Sequence, residues 1–453
     1  MDKLRPIYHF QPEKNWMNDP NGPVVIDGRL HLFYQYNPYG AAWGNMTWGH
    51  AVADGLTHWT CLPCALFPDQ PYDKDGVFSG CCVLKDGLPH ILYTGVQPEV
   101  QCLAIGDAQA EHFEKYEGNP IIVREEGEEL NGFRDPFAWQ EDGKTYIVIG
   151  SGEKNKRGFA LVYRSDDLKT WERVGELCSR DDPEEDMWEC PNLIRFADGR
   201  ATLLVSLMKA QGVFALDGDY RDHKLESGAL RPFDLGDSYY APNTVTLPDG
   251  RIVNFGWMKE TVPGREAAGW QGMMTIPREI VQYGDGTVGV RPVSEMTRLH
   301  AQRLLSRKEF TLRSGENALK DVHSRHCEVL IEFEAGSQGT LHLELNKSPR
   351  GEEKAVLTYD GVADALYVDT SRCGGSGRVG GYVQGRGVTK LRVFLDGSGL
   401  EVFVNDRETL TTRLYPVRED SDGLRLWAEG GVRVNRLQVY EMGSAYSDEE
   451  ENA

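Results

Sequence analysis

Val24-Val25-Ile26-Asp27-Gly28-Arg29-Leu30-His31-Leu32-Phe33-Tyr34 decides the fold, because its Asp-Gly centre, set between a strand-like stretch and an apolar run, returns in that setting at Asp86-Gly87, Asp142-Gly143, Asp198-Gly199 and Asp249-Gly250. The intervals are 59, 56, 56 and 51 residues. Each Asp-Gly follows a short strand-like stretch and precedes an apolar run: Leu32-Phe33-Tyr34, Ile91-Leu92-Tyr93, Ile147-Val148-Ile149, Leu203-Leu204-Val205 and Ile252-Val253. Asp-Gly between two such runs signals a hairpin, because glycine takes the positive φ that a tight turn requires. A four-stranded blade occupies about 45 to 60 residues, and radial repetition of blades builds a propeller. Five repeats predict an all-β chain with a five-bladed β-propeller.

Seven to nine residues before each Asp-Gly lie Asp19, Ser79-Gly80, Asp135, Glu189 and Tyr240-Ala241. One phase of the repeat therefore carries three carboxylates on three blades. If these positions start the innermost strands, their side chains converge on one end of the central funnel. Paired carboxylates across a small pocket suit glycoside cleavage: one protonates the leaving oxygen, and the other attacks the anomeric carbon or activates water. A third can hold sugar hydroxyls through charge-assisted hydrogen bonds. Trp16, Trp43, Trp48, Trp188 and Trp257 sit beside these motifs and offer ring faces to a sugar. Taken singly, Asp in Asp-Pro or Asp-Gly caps a turn and Trp near a strand end fills core. Three acids in one repeat phase go beyond that reading.

These motifs resemble those of glycoside hydrolase family 32, the invertase, fructanase and levanase group. Trp16-Met17-Asn18-Asp19-Pro20-Asn21-Gly22 is similar to the family's sucrose box. Phe33-Tyr34-Gln35-Tyr36-Asn37-Pro38, Trp48-Gly49-His50-Ala51, Phe78-Ser79-Gly80, Phe133-Arg134-Asp135-Pro136, Trp188-Glu189-Cys190-Pro191 and Ile276-Pro277-Arg278-Glu279 follow in the family's order. The resemblance implies a retaining β-fructosidase that hydrolyses terminal β-D-fructofuranosyl units of sucrose or short fructo-oligosaccharides. It implies Asp19 as nucleophile, Glu189 as acid/base, and Asp135 with Arg134 gripping the fructose hydroxyls. Asn18, Gln35, Trp43, Phe78, Ser79, Cys190, Tyr240 and Trp257 would complete the substrate site. A retaining pair of carboxyl groups is expected about 5–5.5 Å apart. The chain departs from the family pattern at Ser238, unless Asp237 takes that place, at Asn192 after Glu-Cys-Pro, and at Cys81-Cys82. The first two concern the outer subsites.

The formal net charge is −21 over 453 residues. That argues against nucleic acid or an anionic membrane surface as partner, since both need basic patches. The nine cysteines, an odd number without secreted-domain spacing, favour reduced thiols and a cytoplasmic location. Cys61-Leu62-Pro63-Cys64 has no second CxxC or His pair, so no zinc site is expected, and no metal or other cofactor is implied. Neither an apolar leader nor a run of 18 apolar residues is visible.

The propeller signal covers residues 1–295. Residues 296–308 read as a connector, helical or extended. From Glu309 to about residue 443, period-2 segments such as Glu328-Val329-Leu330-Ile331-Glu332-Phe333 predict a β-sandwich. Trp427 is expected in its core, with Gly374-Gly375-Ser376-Gly377 as a flexible loop. Residues 444–453 read as an acidic disordered tail. The sandwich is expected to pack on the propeller; sugar binding or homodimer formation are its alternatives. The rival functions are a fructosyltransferase on the same scaffold, an enzyme acting on arabinose-based glycans, and a non-catalytic fructan-binding protein.

Overall fold

The structure, a computed structural model, describes residues 2–334, 339–383 and 388–446. Five antiparallel sheets follow one another along the chain, one per Asp-Gly repeat. Their first strands are Asn15–Ile26, Gly76–Lys85, Leu130–Glu141, Trp188–Arg195 and Tyr239–Thr246. These five strands touch one another in a closed ring, the last against the first, so they line the axis of a five-bladed propeller. Trp270–Gln271, from the last blade, pairs in parallel with Asn15–Trp16 of the first and helps to close the circle.

Each of these five Asp-Gly pairs joins a blade's first strand to its second. In blades 1 to 3 both turn residues have positive φ, for example 49° at Asp27 and 80° at Gly28. This is the type I′ geometry that matches the twist of a hairpin. In blades 4 and 5 only the glycine does, 87° at Gly199 and at Gly250, and the turns are one residue longer. There the Asp carboxylate caps the turn instead: Asp198 and Asp249 accept the amides of Arg200 and Arg251 at 3.0 Å. Between blades the second strands bury aliphatic rows. Ile147 and Ile149 pack towards blade 2, and Val148 packs with Leu203 and Val205 towards blade 4.

Two further sheets form a β-sandwich around a core that includes Val329, Ile331, Leu343, Leu357, Leu391 and Val393. Its first strand is His300–Leu312, paired along its length with Val432–Met442. The expected connector is therefore a 3₁₀ helix, Ser294–Leu299, followed directly by a sandwich strand. The edge pairing with Val432–Met442 recruits His300–Lys308, which lie before the expected start of the sandwich at Glu309. Trp427 is not in the core. Leu426 and Ala428 point inward, and Trp427 stands on the outer face, stacked on His342 at 4.0 Å between ring centroids. The glycine-rich loop is tied down, since the Thr370 hydroxyl donates to the Gly377 carbonyl at 2.8 Å. Residues 447–453 of the expected tail lie outside the described residues. Residues 444–446 are docked: the Ala445 amide donates to the Ile7 carbonyl, and the Tyr446 phenol to the His9 and Gln11 carbonyls.

The sandwich is joined to the propeller by a buried polar cluster. The Arg278 guanidinium is fully buried and donates to Glu401 at 2.5 and 2.8 Å and to Asp234 at 3.1 Å. His9 lies between Asp396 and Glu401, at 2.8 and 2.9 Å. Those two carboxylates outweigh burial and push the imidazole up to about 9. Against the push of burial, His326 and His9 hold Asp396, and Arg278 and His9 hold Glu401, below the usual carboxylate range. Phe394 and Phe403 of the sandwich pack beside this cluster with Phe10, Tyr239 and Phe255.

Candidate active site

All five innermost strands carry the same defect. Each slips register against its neighbour at the same level, at Asn18-Asp19, Ser79, Asp135-Pro136, Cys190-Pro191 and Ala241-Pro242, and the first and third strands slip a second time, at Gly22-Pro23 and Asn131-Gly132. These are β-bulges, which bend a strand and re-aim its side chains. In three of them the residue before proline has positive φ: 63° at Asp135, 47° at Cys190 and 47° at Ala241. Non-glycine residues pay for that conformation, and it persists where the surrounding structure holds it.

Counted from the bulges, the site is two rings rather than one. Asp19, Ser79, Asp135, Cys190 and Ala241 form the first. Asn18, Phe78, Arg134, Glu189 and Tyr240 stand one residue earlier and form the second. This corrects the reading of three acids in a single phase: Glu189 is one residue out of step with Asp19 and Asp135. The variable seven-to-nine spacing to Asp-Gly concealed the offset.

The hydrogen bonds largely follow the rings. In the first, the Ser79 hydroxyl donates to Asp19 Oδ2 at 2.6 Å, and Cys190 Sγ lies 3.5 Å from both Asp19 Oδ2 and Asp135 Oδ2. The Cys190 amide donates to Asp135 Oδ2 at 3.0 Å. In the second, Arg134 donates to Glu189 Oε1 through Nη2 at 2.6 Å and Nε at 3.2 Å. The Tyr240 phenol donates to Glu189 Oε2 at 2.6 Å. One bond joins the two rings, Asn18 Nδ2 to Asp19 Oδ1 at 3.0 Å. Arg134 and Asp135, the two residues expected to grip the fructose hydroxyls, approach each other to 4.0 Å. The Arg134 donors are committed to Glu189 and, through Nη1 at 2.8 Å, to Glu99.

Burial dominates the electrostatics. It pushes Asp135 up to about 7, against the pull of Arg134 and with a push from the Glu189 and Asp19 charges. Burial also raises Asp19, while the bonds from Ser79 and Asn18 oppose it. Burial lowers Lys259, beside the ring of Tyr240, to about 8. The Cys190 thiol is pushed well above its ordinary value by burial and the surrounding carboxylates, which keeps it protonated.

These groups line a cavity of about 520 Å³. Asn18, Asp19, Gln35, Trp43, Phe78, Ser79, Arg134, Asp135, Glu189, Tyr240 and Trp257 all reach it. Cys190 lies beneath, against the two aspartates. Of the flanking tryptophans, Trp16, Trp43 and Trp257 face the cavity, whereas Trp48 and Trp188 are core, 0% and 2% exposed. A second cleft of about 810 Å³ shares Trp43, Phe78, Arg134 and Met208 and opens outward.

Sequence reading missed Met46, Met208, Gln211 and Lys259 in the cavity, and Glu99 behind Arg134. Met46, Glu99, Met208 and Gln211 lie in or beside connections from a blade's second strand to its third; Lys259 directly follows the second strand of blade 5. In an up-and-down blade that end of the second strand returns to the end where the first strand starts. That topological rule was the available signal. Asp237 does not replace the missing outer-subsite aspartate. It accepts the Thr412 hydroxyl of the sandwich at 2.8 Å, while Ser238 donates to the Lys259 carbonyl. Among the described residues, no group of three or more His, Cys, Asp or Glu is placed to hold a metal ion.

Two family models match the chain: the glycosyl hydrolases family 32 N-terminal domain over residues 9–290 and its C-terminal counterpart over 296–441. A raffinose invertase and a sucrose-6-phosphate hydrolase, both of Escherichia coli, are each 32% identical, with 95% of this chain and 93% of each relative covered. The crystal structure of fructan 1-exohydrolase IIa from Cichorium intybus superposes with a TM-score of 0.89 at 26% identity, over 98% of both chains.

Proposed function

This chain belongs to glycosyl hydrolase family 32, and on that premise we propose a retaining mechanism in which Asp19 is the nucleophile and Glu189 the acid/base. The protein is a glycoside hydrolase of the β-fructofuranosidase type, acting on sucrose or fructans. The observation that carries the residue roles is the division of the carboxylates between two rings. Asp19 and Asp135 share the thiol of Cys190, while Glu189 stands apart on Arg134 and Tyr240. A nucleophile and a proton donor need different surroundings, and the two rings supply them.

Asp19 Oδ attacks C2 of the terminal fructosyl unit as the bond from C2 to the glycosidic oxygen breaks. Glu189 gives its proton to that oxygen, and the leaving sugar departs as an alcohol. A covalent fructosyl-enzyme remains. Glu189, now a carboxylate, takes a proton from water, and the water oxygen attacks C2 and releases Asp19. Two inversions give net retention. Ser79 and Asn18 donate to Asp19 and orient its attacking oxygen. Asp135, with burial holding it near pH 7, accepts fructose hydroxyls and strengthens that hold as positive charge develops at C2. Trp16, Trp43 and Trp257 present rings to the sugars.

The nine cysteines form no disulfide among the described residues, which supports work in a reducing compartment such as the cytoplasm. No helix among the described residues is long and apolar enough to cross a membrane.

Product chromatography after incubation with sucrose, 1-kestose, inulin and levan tests the activity. Free fructose from the small sugars is expected. Longer oligomers would move the protein to transfructosylation, and no product from any of them would overturn the reading.

A further inference from the structure

Arg134 faces two carboxylates from two other blades, and the mechanism uses only one of them. Its Nη2 and Nε donate to Glu189, and its Nη1 donates to Glu99 Oε1 at 2.8 Å. We propose that Glu99 is a positioning residue for the proton donor: it shares the Arg134 guanidinium and so lets Glu189 carry its proton at the working pH. The inference rests on the reading of Glu189 as acid/base.

A general acid must be protonated when substrate binds, yet a guanidinium in direct contact favours the ionised carboxylate, by about one to three pH units for an unshared pair. Arg134 is only 14% exposed, so water does little to weaken that pull. A second carboxylate on the opposite edge of the same guanidinium offsets it. Glu99 is built for that position. It belongs to the connection between the second and third strands of blade 2. Its Oε2 accepts the Phe133 amide at 2.6 Å, one residue before Arg134, and Arg124 Nη2 at 2.7 Å. The carboxylate is thus clamped to the backbone that carries Arg134.

The other charges around the pair are accounted for. Glu189 faces Arg134, the Tyr240 phenol, the carboxylates of Asp19 and Asp135 and the neutral Cys190 thiol, with Lys259 beyond the Tyr240 ring. Glu99 faces Arg134 and Arg124. In the outer cleft beside them, Asp186 accepts from Asn131 rather than from Arg134, and Lys209 pairs with Glu184 rather than with Glu99. Asp75 also lines that cleft without pairing to Arg134.

The test is the pH profile of kcat/KM on sucrose, whose alkaline limb reports the acid in the free enzyme. Glu99→Gln keeps an oxygen for the Phe133 amide but removes the charge. Its alkaline limb is expected to move to lower pH by about half a unit or more. Arg124→Met leaves Glu99 unshared, and its limb is expected to move the other way. Opposite displacements are not what a merely structural role would produce. Limbs unmoved in both variants, or moved in the same direction, overturn the proposal. If Glu99→Gln fails to fold, Arg124→Met decides alone: an upward displacement supports the inference and none overturns it. Glu189→Gln is the control. Full activity there would remove the acid/base reading itself, whereas lost activity with unmoved limbs would remove only the role of Glu99.

Discussion

His9 meets Asp396 twice at one oxygen: its backbone amide and its Nδ1 both lie 2.8 Å from Asp396 Oδ2. One residue of the N-terminal segment is thus locked to the sandwich by main chain and side chain together. The other ring nitrogen reaches Glu401, which also holds the propeller's Arg278.

His9→Gln should therefore destabilise the whole chain, by about 3–5 kcal/mol, the usual cost of breaking a fully buried pair. The folded imidazole titrates at about 9 against 6.5 for the free group. Folding takes up a proton between those values, so this stabilisation is complete below about pH 6.5 and is lost as pH rises through 9. Calorimetry at pH 6 and pH 9.5 should show the wild-type Tm approaching that of the variant. A gap that stays constant would contradict the assignment of a buried imidazolium.

Asp19→Ala and Glu189→Ala should each lower kcat on sucrose by about a thousandfold or more while the fold survives. Neither side chain contributes to an apolar core, and Asp19 is a partly buried charge whose removal relieves desolvation. Near-wild-type turnover in either variant, measured by released fructose, would end the mechanism.

Asp135→Asn should lose activity yet gain stability. Burial raises this carboxyl from 3.8 to about 7, so its ionisation opposes folding. The penalty begins above about pH 4, grows to pH 7 and then levels, reaching about 2–4 kcal/mol. The amide can still accept the Cys190 backbone N–H that Asp135 accepts now. Thermal unfolding at pH 4.5 and pH 8 checks it. The variant should exceed wild type by several degrees at pH 8 and by much less at pH 4.5.

Gly80→Ala should damage the site through the backbone. A Cβ there would sit 2.0 Å from the Leu92 carbonyl oxygen and 2.8 Å from the Tyr93 Cα, so the bulge that aims Ser79 at Asp19 would have to open. The expected loss is about 1–3 kcal/mol of stability, with a fall in kcat from the displaced Ser79. A variant with unchanged Tm and kcat would show that the bulge tolerates the added carbon.

Much of this protein was legible in one dimension, because its information is local and repeated. Asp27-Gly28 and its four successors mark turns whose φ values only small residues take cheaply, and the apolar runs after them fix alternating strands. Those signals gave the blade number, the position of the innermost strands, and Asp19, Asp135 and Glu189 as candidates. The sandwich was legible as period-2 strands, but its first strand at His300–Leu312 was not, because most of that edge strand is exposed and shows no alternation.

What the sequence by itself determined is therefore the fold class and the chemical cast of the site. What only the tertiary structure decided is who touches whom. The bulges put Glu189 one ring away from Asp19, gave Arg134 to Glu189 and Glu99 rather than to Asp135, and set Cys190 between two aspartates. Closure of the five blades brought residues as distant as Asp19 and Cys190 within 3.5 Å. The reason is physical. Turn and strand preferences depend on near neighbours along the chain, whereas a one-residue register slip, a shared guanidinium and a raised carboxyl depend on burial and distance, which exist only after the chain has closed.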